Sequence, residues 1–377
     1  MRCRRHSGQR QPRTGADLGS SFPIRGEQLG SRRSCNTAGP CRRWPRLEPE
    51  AAIAVAVKHS NIMGMMIKDN SYSGVVGAPE LTAQPGRSSL VRHSLMSFHP
   101  ESDFGTLPLS TPRGVLLALD WVVGKTHQIW GSSVMVAPGV ALTARHTVDA
   151  MRERGFLNSD GGQLRAYGFE QDKSLTIWAT KRFTTVGDGD LSILTLVRAT
   201  AGVAPNATLQ LPVLAARQPK LKEKIVMIGY AATHETIEDF ARDGVGVDLR
   251  GSLGKVIDVY PERRDRFSLP NPSIGIAARV DGGMSGGAAF DESGRLIGII
   301  SRGDETSSFV SLLWPSVFTP IDLAWPPVPI EGRITLASLT SIGWAKIDNL
   351  EYLSEAVDED GMPHVGLSVM ADQEPDP

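Results

Sequence analysis

The chain has 377 residues, 41% of them hydrophobic and 21% charged, an ordinary composition for a globular protein with a buried core. Its formal net charge of −1 argues against a surface that binds nucleic acid or another polyanion. No apolar run approaches the roughly 18 residues of a membrane-spanning helix, so we expect no membrane partner.

Residues 1–110 are predicted to form a disordered, basic leader. The segment is rich in Arg, Gly, Ser and Pro and shows no sustained hydrophobic periodicity, a composition typical of disorder. It holds all the cysteines of the chain, Cys3, Cys35 and Cys41, whose spacing fits no common zinc site. No histidine pair has metal-ligand spacing either. We therefore expect no disulfide after the leader, no metal and no cofactor.

Two origins of the leader remain open. The stretch before Met63 has the character of upstream sequence translated through a start-site error, and in that case we expect a cytoplasmic protein. Its Arg- and Ser-rich, acid-poor composition also overlaps with that of organelle transit peptides, and in that case the protein would be targeted or exported. The stretch contains no convincing secretory cleavage site.

From Gly114 onward, short apolar runs alternate with turn residues, the pattern of short β-strands. We predict an all-β protein of two six-stranded antiparallel β-barrels, the first over about 111–205 and the second over about 206–325. The predicted strands of the first barrel are 115–119, 133–137, 140–143, 175–178 and 191–197. Those of the second barrel are 225–230, 254–260, 274–280, 287–290, 296–301 and 309–313.

Residues 326–377 are predicted to be a C-terminal extension. A proline-rich link leads to 334–347, where Leu336, Leu339 and Ile342 recur at near-helical spacing, which indicates a short helix. The last twenty residues are predicted to form an acidic tail, because the chain is rich in Asp and Glu there.

The stretch 283–287, Gly-Met-Ser-Gly-Gly, contains a candidate nucleophile, Ser285. A serine hydroxyl attacks poorly near neutral pH unless a base takes its proton, and the base needs an acid to fix its tautomer. His146, after the apolar run at 140–143, and Asp190, before the run at 191–197, supply these groups. The pattern predicts a serine peptidase with its active site in the cleft between the two barrels.

The same five residues also fit the Gly-x-Ser-x-Gly nucleophile elbow of α/β-hydrolases. That elbow needs a helix directly after the serine, and triad partners in the order serine, acid, histidine. Two glycines, which are poor helix formers, follow Ser285 instead, and a strand–turn–strand pattern comes next. The one histidine downstream is His364, within the predicted acidic tail. The elbow is therefore excluded.

Three segments resemble those of trypsin/chymotrypsin-fold serine peptidases, in particular the cysteine-free bacterial kind. Residues 133–146, Ser-Val-Met-Val-Ala-Pro-Gly-Val-Ala-Leu-Thr-Ala-Arg-His, are similar to the family's strand–turn–strand that leads into Thr-Ala-x-His. Residues 190–196 resemble its Asp-Ile-Ala-Leu-Leu strand, and residues 283–287 resemble its Gly-x-Ser-Gly-Gly. The resemblance spans about 112–325 and implies a peptide or protein as substrate.

The resemblance also assigns roles to individual residues. It favours Asp190 over Asp188 as the triad acid, because the family's acid directly precedes the apolar strand. The backbone N–H groups of Gly283 and Ser285 would form an oxyanion hole. Met284 stands where zymogen-type relatives have an aspartate that pairs with a newly cut N-terminus, so we expect no activation by N-terminal cleavage.

Substrate preference is less clearly encoded. By the family's spacing, Arg279 would approach the floor of the primary pocket, and Ser301 and Gly303 would form one wall. An arginine at that floor would favour acidic side chains, whereas an Arg279 that points outward would simply be solvated. Both possibilities remain open from the sequence.

Two other classes of function also remain open. A catalytically inactive or latent trypsin-like domain could act as a peptide-binding or scaffold module, although all three triad positions hold competent residues. A nucleic-acid-associated protein would suit the basic leader, but the leader lacks interleaved aromatic residues. We therefore expect no nucleic-acid partner, and the sequence does not encode an oligomeric state.

Overall fold

The computed structural model describes residues 75–76, 88–91, 104–108, 112, 114–123, 126–153, 162–169, 175–201, 209–232, 247–303, 305–323, 328, 330–357 and 363–368. The three cysteines and Met63 of the expected leader lie outside these ranges. Within them, no helix is long and apolar enough to cross a membrane. Nor do three or more His, Cys, Asp or Glu side chains come together there as a metal site would require.

The described chain consists mostly of strands. In chain order the strands are β1 (Val75–Val76), β2 (Ser88–Val91), β3 (Phe104–Leu107), β4 (Leu116–Val123), β5 (Thr126–Ala137), β6 (Val140–Thr143), β7 (Gly162–Phe169), β8 (Leu175–Thr185), β9 (Ser192–Arg198), β10 (Thr200–Ala201), β11 (Leu209–Pro212), β12 (Leu214–Ala215), β13 (Lys224–Ala231), β14 (Asp248–Tyr260), β15 (Ser273–Ala277), β16 (Ala288–Phe290), β17 (Leu296–Gly303), β18 (Ser308–Leu312), β19 (Ile347–Asp348), β20 (Leu353–Val357) and β21 (Pro363–Leu367). The helices are α1 (Arg145–Glu153), α2 (Leu336–Thr340) and two 3₁₀ turns, Trp314–Ser316 and Leu350–Tyr352.

The first barrel is a closed ring of six antiparallel strands in the order β4-β5-β6-β9-β8-β7. Its interior is filled by large apolar side chains, including Leu117, Met135 and Trp178, which are almost completely buried. Helix α1 follows β6 and packs Val148 and Met151 into the same core. Helix α1 is joined to the end of β6 and packs one face into this core. Its first turn is therefore held at the end of the barrel.

The second barrel is also a closed ring of six antiparallel strands. Its order is β13-β14-β15-β18-β17-β16, and pairing of β16 with both β17 and β13 closes it. Strand β3 adds to the outer edge of β14, and the short strand β12 lies parallel between β17 and β19. Strands β20 and β21 form a separate antiparallel hairpin.

The two barrels share one apolar core at their contact. Side chains of both barrels, among them Leu116, Val134 and Ile228, belong to the same buried cluster. The rings of Phe169 and Tyr230 lie 5.6 Å apart across this contact. The buried Tyr230 hydroxyl donates to the Leu116 carbonyl at 3.3 Å. The contact between the two barrels is therefore a continuous apolar core with one buried hydrogen bond from Tyr230.

The prediction of two six-stranded barrels is confirmed. The sequence did not reveal β7, because Gln163 and Arg165 interrupt its apolar residues. It also did not reveal α1, which spans only nine residues and carries five charged or imidazole side chains. In both elements, tertiary packing outweighs a weak local pattern.

Two terminal segments contain more strand than the sequence indicates. Residues 104–107, within the expected leader, form β3, which pairs with β14 from Leu249 to Ser252. Residues 363–367, within the expected acidic tail, form β21. The predicted helix at 334–347 is reduced to the five residues of α2. Pairing with a neighbouring strand supplies hydrogen bonds that a local apolar pattern does not reveal.

We expect removal of residues 1–110 to lower the free energy of unfolding by about 2 kcal/mol or more. This deletion removes β1 and β2, which pair with β10 and β11, and β3, whose Leu107 is buried and whose backbone pairs with β14. Urea denaturation of the full and shortened chains measures the effect. Removal of residues 1–62 keeps β3 and is the matched control, which should leave the transition unchanged. An equal loss in both deletions would contradict the role assigned to β3.

Candidate active site

His146 lies in the first turn of α1, where backbone N–H groups have no acceptor within the helix. Its N–H donates to Asp190 Oδ1 at 2.9 Å. Its ring Nδ1 lies 2.9 Å from Asp190 Oδ2 and 3.0 Å from Oδ1. Asp190 therefore holds both the helix start and the imidazole. The other ring nitrogen, Nε2, has no hydrogen-bond partner within the described part of the chain.

The Asp190 carboxylate is buried, with 6% of the residue exposed. Burial raises the pKa of this carboxyl, but hydrogen bonds from the His146 ring and backbone, the attraction of His146 and a hydrogen bond from the Ser301 hydroxyl together outweigh burial and hold the pKa below its ordinary value. Asp190 is therefore ionised near neutral pH and accepts a hydrogen bond from His146 Nδ1–H. The neutral ring then has its lone pair on Nε2, the position that a general base needs.

The second barrel also fixes the backbone at Asp190. Asn271, in the loop before β15, accepts the Asp190 N–H through its Oδ1 at 3.1 Å. Gly189 lies against the same residue, and a Cβ added there would be 2.9 Å from Asn271 Cβ. The Asp188 side chain is exposed and has no hydrogen bond within the described residues, while its backbone carbonyl accepts one from Arg145 Nη1 at 3.3 Å. The structure thus brings Asp190, rather than Asp188, to His146.

The loop that carries Ser285 has two backbone N–H groups free to bind an anion. Within the described residues, the N–H groups of Gly283 and Ser285 have no acceptor. Ala232 N–H donates to the Gly282 carbonyl at 2.8 Å. Because the peptide unit is planar and trans, fixing this carbonyl also fixes the Gly283 N–H on the opposite side. Gly283 has φ +90°, and a Cβ there would lie 2.0 Å from Ala232 N, so only glycine fits.

Ser132 of β5 holds this loop from the first barrel. Its N–H donates to the Ser285 carbonyl at 2.9 Å, and its Oγ donates to the Gly283 carbonyl at 3.1 Å. The same Oγ accepts the Tyr230 N–H at 2.8 Å. The Ser132 carbonyl accepts the Thr143 hydroxyl at 2.7 Å. Ser132 therefore connects the β6 end near His146, strand β13 and the Ser285 loop.

The Ser285 hydroxyl donates to the Ser301 carbonyl at 2.9 Å, and no hydrogen bond joins it to His146 within the described residues. The ladder between β17 and β18 shifts by one residue between Ile300 and Arg302. This bulge leaves Ser301 unpaired in the ladder, so its carbonyl is available to Ser285. The Ser301 side chain is buried and donates to Asp190, whereas the sequence assigned it to a pocket wall.

The other two residues predicted to line the primary pocket, Arg279 and Gly303, contact neighbouring side chains. Arg279 Nε and Nη2 donate to Asp281 Oδ1 at 3.0 and 2.9 Å, and its guanidinium lies 4.8 Å from the centre of the Phe104 ring. Gly303 lies against Val280, and a Cβ there would be 2.4 Å from Val280 Cγ2. Arg279 is therefore a half-exposed, neutralised cation in this structure.

Met284 is fully buried and anchors the loop in the second barrel. Its Sδ accepts the Asp281 N–H at 3.3 Å, and a Cβ added at Gly229 would lie 2.7 Å from Met284 Cα. An apolar side chain in this position fixes the loop by packing, without an ion pair.

Sequence reasoning missed the roles of Ser132, Asn271 and the Ser301 hydroxyl. Gly131, directly before Ser132, gives a weak signal of close backbone approach, since a Cβ there would lie 3.2 Å from the Ser285 carbonyl oxygen. Asn271 lies between two prolines, which indicates a turn but no partner. These roles depend on contacts between distant segments.

We expect Ser132→Ala to lower the free energy of unfolding by about 1–3 kcal/mol, because it leaves the buried Tyr230 N–H and the Gly283 carbonyl without their partner. Urea denaturation measures this effect. Ser133→Ala is the matched control, since the neighbouring hydroxyl is buried without a partner in the described structure and its loss should be nearly neutral. Equal effects of the two changes would contradict the role of Ser132.

Residues 131–299 match the family model described as a trypsin-like peptidase domain. Among solved structures, the chain is similar to the Rv3671c protease from M. tuberculosis in its active form, with 14% identity over 61% of this chain and 86% of that chain and a TM-score of 0.37. Deg5 is 15% identical over 54% of this chain and 87% of that chain, with a TM-score of 0.40. The MamO protease domain from Magnetospirillum magneticum is 11% identical over 54% of this chain and 93% of that chain, with a TM-score of 0.38.

A comparison with curated proteins finds no match. The segment matched by the family model includes His146, Asp190 and Ser285 and runs from β5 of the first barrel into β17 of the second. Together with the two closed barrels, this match identifies a trypsin-like peptidase domain with the fold of the trypsin-like serine peptidases.

Proposed function

We propose that the protein is a serine endopeptidase in which Ser285 is the nucleophile, His146 the general base and Asp190 the acid that orients the base. The observation that carries this proposal is the double contact of Asp190 with the backbone and ring of His146, on an imidazole whose Nε2 has no other partner within the described residues. A surface histidine has no need of a buried carboxylate that binds both its backbone and its ring.

The proposed reaction begins when His146 Nε2 takes the proton from Ser285 Oγ as this oxygen attacks the substrate carbonyl. The negative charge on the tetrahedral intermediate is accepted by the N–H groups of Gly283 and Ser285. The loss of one such donor typically costs about 3 kcal/mol of transition-state stabilisation. The His146 imidazolium then protonates the leaving amine, and water, activated by the same ring, hydrolyses the acyl-enzyme. The reaction needs no cofactor.

A second candidate is a latent domain, and the contact between the Ser285 hydroxyl and the Ser301 carbonyl favours it. In this state the hydroxyl proton is directed to a carbonyl that cannot act as a base. Ser285 must leave this carbonyl for His146 before it can attack. Because catalytic hydrogen bonds often form only in the substrate complex, the contact is compatible with an active enzyme that completes its triad on binding.

We expect Ser285→Ala to abolish labelling by a fluorophosphonate probe, because the probe reacts only with an activated serine oxygen. The fold should remain intact, since the substitution removes one hydroxyl from a half-buried position. Gel fluorescence and circular dichroism measure the two effects. Ser293→Ala, in the exposed turn between β16 and β17, is the control and should label like the unchanged protein. Labelling of the Ser285→Ala protein at the normal level would disprove the assignment of the nucleophile.

We expect Asp190→Asn to lower kcat by about four orders of magnitude, because an amide stabilises the wrong tautomer of His146. Asp188→Asn is the matched control and should change kcat little, since the Asp188 carboxylate makes no contact with His146. Peptide hydrolysis at neutral pH distinguishes the two variants. A larger loss in Asp188→Asn would show that Asp188 is the triad acid.

The same pair of variants also tests stability in acid. The pKa of Asp190 in the folded protein lies below its ordinary value of 3.8. The unfolded chain therefore binds a proton first, and the stabilisation by Asp190 is present above that ordinary value and lost as the pH falls through the lowered pKa. In Asp190→Asn, the free energy of unfolding should therefore fall less as the pH is lowered. In Asp188→Asn, it should fall as much as in the unchanged protein.

A further inference from the structure

Arg302 is a partly buried arginine beside the candidate active site, and its charge has no carboxylate partner within the described residues. It directly follows Ser301, whose carbonyl accepts the Ser285 hydroxyl. Arg302 Nη2 donates to the Ser268 carbonyl at 3.3 Å, while the buried Nε has no acceptor. Of the five N–H donors of this guanidinium, one therefore has a protein acceptor within the described residues.

Three other arginines of the second barrel are paired with carboxylates. Arg217 and Arg295 share the buried Asp291 at 2.8 and 2.9 Å. Arg279 pairs with Asp281 at 2.9 Å. A cation removed from water without a counter-charge is costly, and proteins normally pair it. The unpaired state of Arg302, one residue from a group that contacts Ser285, therefore indicates a ligand that supplies the missing anion.

The surroundings of Arg302 suit an acidic ligand. The segment 261–268, which ends at the Ser268 that accepts from Arg302, carries three arginines against two acids. One of these acids, Asp265, is occupied by the backbone N–H of Phe267 at 2.9 Å. Arg264 lies 4.0 Å from the centre of the Phe309 ring, and Phe309 pairs with Arg302 across β17 and β18. Arg302, Phe309 and the segment 261–268 thus offer positive charge and aromatic surface to a bound peptide.

We propose that Arg302 receives the side-chain carboxylate of an acidic residue in the substrate, close to the bond that is cleaved. This inference rests on the proposed peptidase function. Consecutive Cα atoms are about 3.8 Å apart, so Arg302 starts one peptide unit from the carbonyl that contacts Ser285. The planar guanidinium can bind a carboxylate through two parallel hydrogen bonds. The substrate class is thus a peptide with Glu or Asp near the scissile bond, and Arg302, in place of Arg279, selects it.

The test uses the full chain and pairs of end-blocked fluorogenic peptides that differ only by Glu or Gln at one position. The peptides are built on cleavage sites found by mass spectrometry in a digest of denatured casein. The Glu/Gln ratio of kcat/KM should be about tenfold or more in the unchanged protein at the best position and should approach one in Arg302→Gln. Arg302→Lys should give an intermediate ratio, because it keeps the charge and loses the planar fork.

Two controls isolate the site. Arg250→Gln removes a surface cation that pairs with Asp248, and its ratio should equal that of the unchanged protein. Arg279→Gln tests the rival position. A ratio that collapses in Arg279→Gln and persists in Arg302→Gln would overturn the inference. If Arg302→Gln does not fold, as judged by circular dichroism, the salt dependence of the unchanged protein decides: the ratio should fall at high NaCl, and a constant ratio would overturn the inference.

Fluorophosphonate labelling, measured in parallel, separates this inference from the proposed function. Labelling of Ser285 together with a Glu/Gln ratio near one would overturn the role of Arg302 and leave the peptidase function standing. Absence of both labelling and cleavage in the unchanged protein would overturn both. Labelling of Arg302→Gln with a lost Glu/Gln preference supports the inference, because the triad then functions while the preference has gone.

Discussion

The buried negative charge of Asp190 is the constraint on which the site depends. A carboxylate this far from water requires several donors, and they come from both barrels: the His146 backbone and ring from the first, and the Ser301 hydroxyl from the second. Asn271 holds the backbone of the same residue. The need to satisfy one charge therefore fixes the start of α1 and the bulge in β17 relative to each other, and the backbone bond of Asp190 to Asn271 adds the loop before β15.

The Ser285 loop is positioned by close packing of its backbone. Gly286 has φ +85°, and a Cβ there would lie 1.9 Å from the Ser132 carbonyl oxygen. Its N–H donates to the Ile300 carbonyl at 2.8 Å, while the Ser285 carbonyl accepts the Ser132 N–H. The loop is thus bonded to β5 on one side and to β17 on the other. This arrangement leaves the Gly283 and Ser285 N–H groups directed away from internal acceptors, as an anion site requires.

Much of the fold could be predicted from the sequence, because the buried strands are apolar runs separated by turn residues. The candidate triad could be proposed because acyl transfer by serine needs three residue types, and the chain offers them at strand ends. Ser132 and Asn271 could not be predicted, since their roles come from hydrogen bonds between segments far apart in the chain. The ion pair of Arg279 could not be predicted either, because the sequence does not fix whether its side chain turns toward Asp281 or into a pocket. Strand β3 could not be predicted either, because it forms by pairing with the open edge of β14.

The parallel pairing of β12 with β19 has a consequence for the order of assembly during synthesis. Leu214 N–H donates to the Lys346 carbonyl, and Ala216 N–H donates to the Asp348 carbonyl, at 2.8 and 2.9 Å. On its other side β12 pairs with β17, the strand that carries Ser301. A nascent chain that has emerged only as far as β18 therefore has an open edge at β12. The ribosome must add more than thirty further residues before this edge acquires its partner, so all six strands of the second barrel emerge before the added edge of β12 is covered.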